Sequence, residues 1–291
     1  MRWRELYQAM KKSIGIITVH GMGKTKSPVE QPKDHYATQL YRKLQKKLRN
    51  DEFQSVAWGF SYYQDVLQDH QEELFRRIEP KTIWPDLRQF LMFGFSDAAT
   101  LEANKWGVSS PYYQAQLRLL RTFRQVFAQL DENAPLFIIA QSLGGQVMSN
   151  YLWDAGKTDP PSKTAQPICS VWNVPQNFGS EAERDFCRGF RMKRFYTTGC
   201  NIPLFVAGLD RKKIKPITPK HPEFEWRNYY DPADVLGYPL QDLSDCYAKR
   251  VDDYPIRAGV TGGISPCSHV HYWTDNDFLD PLVRDIRSAL P

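Results

Sequence analysis

Cysteine is scarce in this chain of 291 residues, and its five copies form no pattern. They are odd in number and widely spaced, without a C-x-x-C pair, which argues against a disulfide framework or structural zinc and for a reducing compartment. Long hydrophobic runs are lacking too. The first residues scatter charges where a signal peptide needs an apolar core, and no run approaches the roughly 20 apolar residues of a membrane span. We therefore expect a soluble, cytoplasmic protein.

An excess of one charge sign is also missing. Lys and Arg number 38 and Asp and Glu 33, so the formal net charge is only +5. The densest basic helical segment, 42–49, overlaps an i, i+4 series of Leu40, Leu44 and Leu48 that marks a buried stripe, so its basic residues form the solvated face. Basic residues are not interleaved with stacking aromatics, and we expect no nucleic-acid partner. Peripheral membrane contact has weak support, and the oligomeric state stays open.

A strand–turn–helix pattern surrounds Ser142. Residues 135–153 read PLFIIAQSLGGQVMSNYLW, an apolar run followed by small residues and an amphipathic segment. Ala140 and Gly144, two residues before and after the serine, leave room for a tight turn. This is the G-x-S-x-G pattern of a nucleophile elbow with Ala at the first Gly, and it makes Ser142 a candidate nucleophile. The alternative is an ordinary loop serine, because the pattern is short.

A second strand-like run ends in a glycine-flanked loop. Residues 13–23 read SIGIITVHGMG, and backbone N–H groups in such a loop suit the stabilisation of an oxyanion. We expect the two donors to be the amides of Met22 and Leu143, with His20 shaping the loop. The following Lys24 and Thr25 also resemble the end of a phosphate-binding loop, but that pattern needs Gly where this chain has Thr18.

Two downstream segments supply an acid and a base in the chain order Ser, acid, His. Residues 224–240 run from a strand-like stretch into a turn that presents Asp231 or Asp234, and we favour Asp234 because Asp231 also suits a structural turn. Residues 264–273 read ISPCSHVHYW and carry His269 before a helical pattern. His271 competes with it as the base, and Cys267 competes with Ser142 as the nucleophile, although no elbow surrounds this cysteine.

With these motifs the chain resembles the α/β-hydrolase superfamily, in its lipase and esterase branch, over nearly its whole length. The resemblance implies a catalytic triad of Ser142 as nucleophile, His269 as general base and Asp234 as the acid that orients it. The loop 20–23 would form half of the oxyanion hole. The sequence departs from the family pattern where Ala140 and Gln141 replace the commoner Gly-His, which leaves the substrate class open.

Strand and helix patterns alternate, and 42% of the residues are hydrophobic. This predicts an α/β fold with a mainly parallel sheet and helices on both faces, in one domain over 1–291. Two long stretches, about 61–111 and 159–190, are predicted to be lid-like insertions. Strands are expected near 14–19, 53–60, 135–141, 193–198, 223–230 and 255–260, and helices near 34–48, 113–130, after Ser142 and after Asp275.

The sequence therefore predicts a serine hydrolase that cleaves carboxylic esters, with small-molecule or lipid-like substrates. We expect no cofactor, and no metal, because the His269/His271 pair has no nearby Cys/His cluster to complete a site. A thioesterase or an acyltransferase would use the same triad. A hydrolase-fold binding or scaffold protein without turnover is the alternative from another class.

Overall fold

The computed structural model describes residues 11–22, 26–103, 107–156, 170–173, 178–259 and 268–291. Its strands are β1 Ile14–Val19, β2 Val56–Ser61, β3 Leu136–Gln141, β4 Met192–Thr198, β5 Glu225–Tyr230 and β6 Val251–Pro255. Its α-helices are α1 Thr38–Lys47, α2 Asn50–Gln54, α3 Gln68–Ile78, α4 Pro85–Ala103, α5 Pro111–Phe127, α6 Leu143–Gly156, α7 Glu181–Cys187, α8 Ile202–Val206, α9 Asp245–Ala248 and α10 Asn276–Ala289.

The strands form one sheet in the order β2-β1-β3-β4-β5-β6, and every neighbouring pair is parallel. All carboxyl ends therefore lie along one edge of the sheet. The strand that follows β1 in the chain, β2, lies on one side of β1, and the next strand, β3, lies on its other side. The direction in which strands are added therefore reverses between β1 and β3. In open parallel sheets such a reversal leaves a crevice at the carboxyl edge, where ligands bind.

Alternating side chains of the strands divide the core between the two faces of the sheet. Ile14 and Ile16 face one cluster, which α1 and α10 complete. Ile17 and Val19 face the other, which α5 and α6 complete. Helices therefore cover both faces of the sheet, as is usual for parallel sheets. The predicted α/β class, with a parallel sheet and helices on both faces, is confirmed.

The strand predicted near 53–60 begins later than expected. Residues 50–54 form the short helix α2, and the strand starts at Val56. The Glu52 side chain accepts a hydrogen bond from the backbone N–H of Arg49 at 2.8 Å and caps the start of this helix. Phe53 belongs to this helix and its side chain is buried in the core. A buried aromatic residue suits a strand as well as a helix, so Phe53 misleadingly suggested an earlier start of the strand.

The last strand lies earlier than the predicted 255–260 and ends at Pro255. Asp residues disfavour strands in propensity terms, so 251–255 carries little strand signal. Tertiary contacts override this propensity. The carboxylate of Asp253 accepts hydrogen bonds from the backbone amides of Leu240 and Gln241 at 2.9 Å and from Asn228 Nδ2 at 2.8 Å.

The first long stretch, 61–111, contains α3 and α4, and a buried hydrogen bond joins these two helices. Asp97 of α4 is fully buried and accepts a hydrogen bond from Gln71 Nε2 of α3 at 2.6 Å. On its outer side α4 leaves the apolar side chains of Leu91 and Phe95 exposed. A lid role for this stretch stays a prediction.

Of the second long stretch, 159–190, residues 159–169 and 174–177 lie outside the described ranges. Helix α7, which belongs to this stretch, packs on α5 through an ion pair between Glu183 and Arg124.

Among the helices in the described ranges, none combines the length and the apolar character that a bilayer-spanning segment requires.

Replacing Ser110 by Ala is expected to lower the free energy of unfolding by about 1 kcal/mol. The Ser110 hydroxyl caps α5 by accepting a hydrogen bond from the Tyr113 N–H at 3.2 Å. Urea unfolding monitored by circular dichroism measures the change. The matched variant Ser110→Thr keeps the hydroxyl and should retain most of the stability, whereas equal losses in both variants would contradict the capping role.

Candidate active site

Ser142 occupies a strained turn between β3 and α6. Its φ is +52°, a left-handed conformation that among the described non-glycine residues only Trp84 shares. Such backbone conformations cost on the order of 1–3 kcal/mol and persist where the surrounding structure enforces them. Here the Ser142 N–H donates to the Thr198 carbonyl at the end of β4, at 2.9 Å. The turn lifts the hydroxyl to the carboxyl edge, beside the crevice between β1 and β3.

The turn depends on the missing side chain of Gly144. A Cβ at this position would lie 2.4 Å from the carbonyl oxygen of His20 and 2.7 Å from that of Val19. The first turn of α6 therefore packs directly on the backbone that leaves β1. On the other side of the same contact, a Cβ at Gly21 would lie 3.4 Å from Ser142 Oγ. The two loops consequently meet at the serine.

The two expected oxyanion donors belong to the two segments that meet in this contact. Leu143 is the first residue of α6, so its N–H lacks an intrahelical partner and lies at the positive end of the helix dipole. Met22 follows Gly21 on the loop from β1. Its thioether packs against α4, where a Cβ at Gly94 would lie 2.4 Å from Met22 Sδ. Helix α4 thus supports the loop that carries the second amide.

His20 holds this loop as a neutral ring. Its Nε2 accepts the Tyr63 N–H at 3.2 Å, so Nδ1 carries the proton that bonds the Gly21 carbonyl at 2.7 Å. The ring also stacks on Tyr63, with centroids 4.1 Å apart. Burial lowers the pKa of His20 to about 4, against smaller upward effects of the Gly21 carbonyl and Asp65. The expectation that His20 shapes the loop is confirmed.

Asp234 and His269 form a buried pair. Nδ1 of His269 lies 2.7 Å from Asp234 Oδ2, and the Tyr272 hydroxyl donates to the same oxygen at 2.8 Å. The other oxygen accepts the Leu236 N–H at 3.0 Å. Burial works to raise the pKa of Asp234, but the hydrogen bond and electrostatic interaction with His269 and these further donors hold it below its usual value. The carboxylate is ionised, fixes the proton on Nδ1 and leaves Nε2 as an acceptor.

Two contacts tie this pair to the serine turn. Gln141, which precedes Ser142, donates from Nε2 to the backbone carbonyl of His269 at 2.6 Å. Gly199 follows Thr198, the residue that accepts the Ser142 N–H, and a Cβ at Gly199 would lie 3.1 Å from His269 Nδ1 and 3.2 Å from Asp234 Oδ2. The loop after β4 therefore abuts the serine and the acid–base pair at once.

The candidate nucleophile and the candidate base each have one unpaired atom. Ser142 Oγ and His269 Nε2 are both buried, and neither has a hydrogen-bond partner among the described residues, so they do not bond to each other. Buried polar groups are nearly always paired, so an unpaired one calls for an explanation such as strain, a functional role or a bound water. Such catalytic hydrogen bonds are often long before substrate binds.

Of the competing candidates, the structure describes Asp231 and His271. The Asp231 carboxylate accepts the backbone amides of Ala233 at 2.8 Å and Ala258 at 3.0 Å, and no hydrogen bond joins it to the imidazole of His269. His271 is exposed. Lys24, Thr25 and Cys267 lie outside the described residues. Within the described ranges, no group of three His, Cys, Asp or Glu side chains is arranged to hold a metal ion.

Sequence reasoning missed two supporting residues. Tyr272 bonds Asp234 and also accepts the Asp231 N–H at 2.8 Å, and Tyr63 donates its hydroxyl to the His20 carbonyl at 3.0 Å. The only sequence signal for Tyr272 was its position three residues after His269. Tyr63 had none, because its contact depends on the approach of β2 to β1.

No protein-family model matches the chain, and a search of curated proteins returns no match.

We expect the free energy of unfolding to fall by about 3 kcal/mol as the pH is lowered from 6.5 to 4, through His20 alone. In the unfolded chain this histidine takes up a proton near 6.5, whereas the folded, buried ring resists until about pH 4. Over this interval the unfolded state binds more protons, so acid favours it. Urea titrations across the range measure the slope.

His20→Gln should remove this part of the pH dependence, since the amide oxygen can accept the Tyr63 N–H and does not titrate. The exposed His70 provides a control, and His70→Gln should leave the slope intact. Equal slopes in the wild type and His20→Gln would show that His20 is not the responsible group.

Proposed function

We propose that this protein is a serine hydrolase of the α/β-hydrolase type that cleaves carboxylic esters. One observation carries the proposal: a buried His269, oriented by Asp234 through Nδ1, has no partner for Nε2 among the described residues and lies at the sheet edge where Ser142 occupies a strained turn. Nucleophile, base and orienting acid, in this chain order and at the carboxyl ends of strands, are the parts that acyl transfer to serine requires.

In the proposed acylation step, Ser142 Oγ attacks the ester carbonyl carbon while His269 Nε2 takes the hydroxyl proton. The carbonyl oxygen becomes an oxyanion and accepts hydrogen bonds from the amides of Leu143 and Met22. The intermediate then collapses: the bond to the alcohol oxygen breaks, and His269 returns its proton to the departing alcohol. An acyl group remains esterified to Ser142.

In deacylation, His269 Nε2 takes a proton from a water molecule, whose oxygen attacks the acyl carbon. Collapse of the second intermediate returns the proton to Ser142 Oγ and releases the carboxylic acid. In both steps the ionised Asp234 stabilises the imidazolium that forms. Its three hydrogen-bond donors keep it in place, and the positive end of the α6 dipole favours the oxyanion.

The surroundings support an apolar, lipid-like acyl group. The thioether of Met22 packs on α4, a helix that carries the exposed apolar side chains of Leu91 and Phe95. Long apolar substrates bury such surface on binding. A cytoplasmic location belongs to the proposal too, since Cys187, Cys200 and Cys246 are free thiols, which suits a reducing compartment.

One observation favours a binding or scaffold protein instead. Ser142 Oγ and His269 Nε2 make no hydrogen bond to each other, and a protein without turnover has no need for that contact. A test of nucleophile activation therefore separates the two functions.

A fluorophosphonate probe is expected to label Ser142, because only an activated serine displaces its leaving group. Peptide mass spectrometry locates the adduct. Ser142→Ala should abolish labelling and lower esterase kcat by roughly four to six orders of magnitude. Ser149 on the same helix also has a buried hydroxyl without a partner among the described residues, and Ser149→Ala should keep both labelling and activity.

Silence of the probe in a folded sample would favour the binding function. Retention of more than about a tenth of the activity in Ser142→Ala would remove this serine from the mechanism. His269→Ala should match the serine variant, whereas His271→Ala should cost little. The reverse ranking would transfer the base to His271.

Asp234→Asn is expected to lower kcat by a factor on the order of 10⁴, since the amide favours the wrong imidazole tautomer. Asp231→Asn is the matched control, and it should mainly lower the free energy of unfolding by about 1 kcal/mol through its weakened turn contacts. Steady-state kinetics with an acyl-chain ester panel and urea unfolding of both variants measure the split. A greater kinetic loss in Asp231→Asn would contradict the assignment.

A further inference from the structure

A second cavity lies at the amino edge of the sheet, opposite the serine. It has a volume of about 280 Å³ and opens between the end of α6, the segment before β4 and the loop before β5. This volume is close to the lower limit of about 300 Å³ for ligand pockets and fits a small organic molecule. The side chains that matter here are Leu152, Trp153, Arg188, Phe190, Ile217 and Lys220.

Two cations of this cavity share one aromatic ring. Lys220 Nζ lies 4.4 Å and Arg188 Cζ 5.3 Å from the ring centroid of Phe190. The guanidinium of Arg188 is oriented from within the protein, because its Nε donates to the Ala155 carbonyl at 3.1 Å. Its terminal amino groups and the Lys220 ammonium have no carboxylate partner among the described residues.

Other cations among the described residues do have such partners. Lys193 pairs with Glu223 at 2.6 Å, and Arg124 pairs with Glu183 at 2.8 Å. The shared ring holds Arg188 and Lys220 within about 10 Å of each other, roughly one Debye length at 0.1 M salt, so their charges repel. An arrangement that keeps two like charges together in a concave site without a counter-charge creates a positive potential that attracts an anion.

Apart from Thr218, the other side chains of the cavity wall are apolar. Leu152 and Ile217 are buried, and Trp153 is 45% exposed. A free inorganic anion would make no use of this wall. An anion with a planar apolar body would bury it while placing its charge on the two cations.

We propose that this cavity binds a small aromatic phosphate monoester. The phosphate accepts hydrogen bonds from the terminal amino groups of Arg188 and from Lys220 Nζ, and the ring lies against Trp153. A dianionic phosphate matches two cations better than a single carboxylate does, and a guanidinium fits two phosphate oxygens at once. The cavity is separate from the Ser142 site, and the proposal does not depend on the proposed esterase function.

Isothermal titration calorimetry with phenyl phosphate tests the proposal, with phenol and inorganic phosphate as comparators. Phenyl phosphate should bind more tightly than either, and its affinity should fall with added salt. Lys220→Gln should weaken it by roughly tenfold or more, as expected for a charged hydrogen bond. Lys213→Gln removes an exposed lysine outside the cavity and should leave the affinity unchanged. Trp153→Ala should weaken phenyl phosphate but not inorganic phosphate.

Arg188→Lys keeps the positive charge but loses the fork, and it should also weaken binding. Because Ser142→Ala leaves this cavity intact, it should bind phenyl phosphate as the wild type does, and a loss there would place the ligand at the serine. Three results would overturn the proposal: no heat of binding up to about 10 mM, a range that covers even weak ligands, equal affinity for phenol, or equal affinity for inorganic phosphate. An unchanged affinity in Lys220→Gln would do so as well.

Discussion

The close approach of two backbones at the carboxyl edge of the sheet is the constraint on which the site depends. The first turn of α6 packs against the carbonyl of His20, and this contact is open only to a residue without a side chain, Gly144. Parallel pairing of β1 with β3 sets the two loops side by side, and the reversal of strand order leaves the crevice between them open. Ser142 and the amide of Leu143 take their places from this arrangement.

Some polar groups around the crevice have hydrogen-bond partners and others do not. On the acid side, the hydroxyl of Tyr272 accepts the Asp231 N–H and donates to Asp234, so that the loop after β5 and the segment before α10 are joined. Linked hydrogen bonds in a buried environment reinforce one another and hold a single geometry. On the serine side, Ser142 Oγ and His269 Nε2 are left without partners among the described residues. Paired groups around Asp234 thus lie beside two unpaired atoms, Ser142 Oγ and His269 Nε2.

Features that depend on local sequence patterns were predicted, whereas features that depend on long-range contacts were missed. The tight turn at Ser142 demands small residues at fixed spacing, so the sequence showed it directly. The class of the sheet followed from alternating apolar segments. By contrast, β6 was misplaced because the strand position of Asp253 is supported by long-range hydrogen bonds from the loop 240–241, which leave no local sequence signal. Tyr272 was missed because its partners, Asp231 and Asp234, lie about 40 residues away in the chain.

The order of strands in the parallel sheet also determines when each strand can pair during synthesis of the chain. β1 is a central strand, yet its partner β3 begins at Leu136, opposite Gly15. At about 5–20 residues per second, the ribosome needs roughly 6–24 s to make the intervening chain, and pairing of such distant segments is slow in any case. One face of the sheet waits longer still, because α1 is covered by the last helix, α10. The nascent chain therefore carries β1 without its second neighbour during this interval, and we expect its yield in a cell to depend on protection from aggregation during that time.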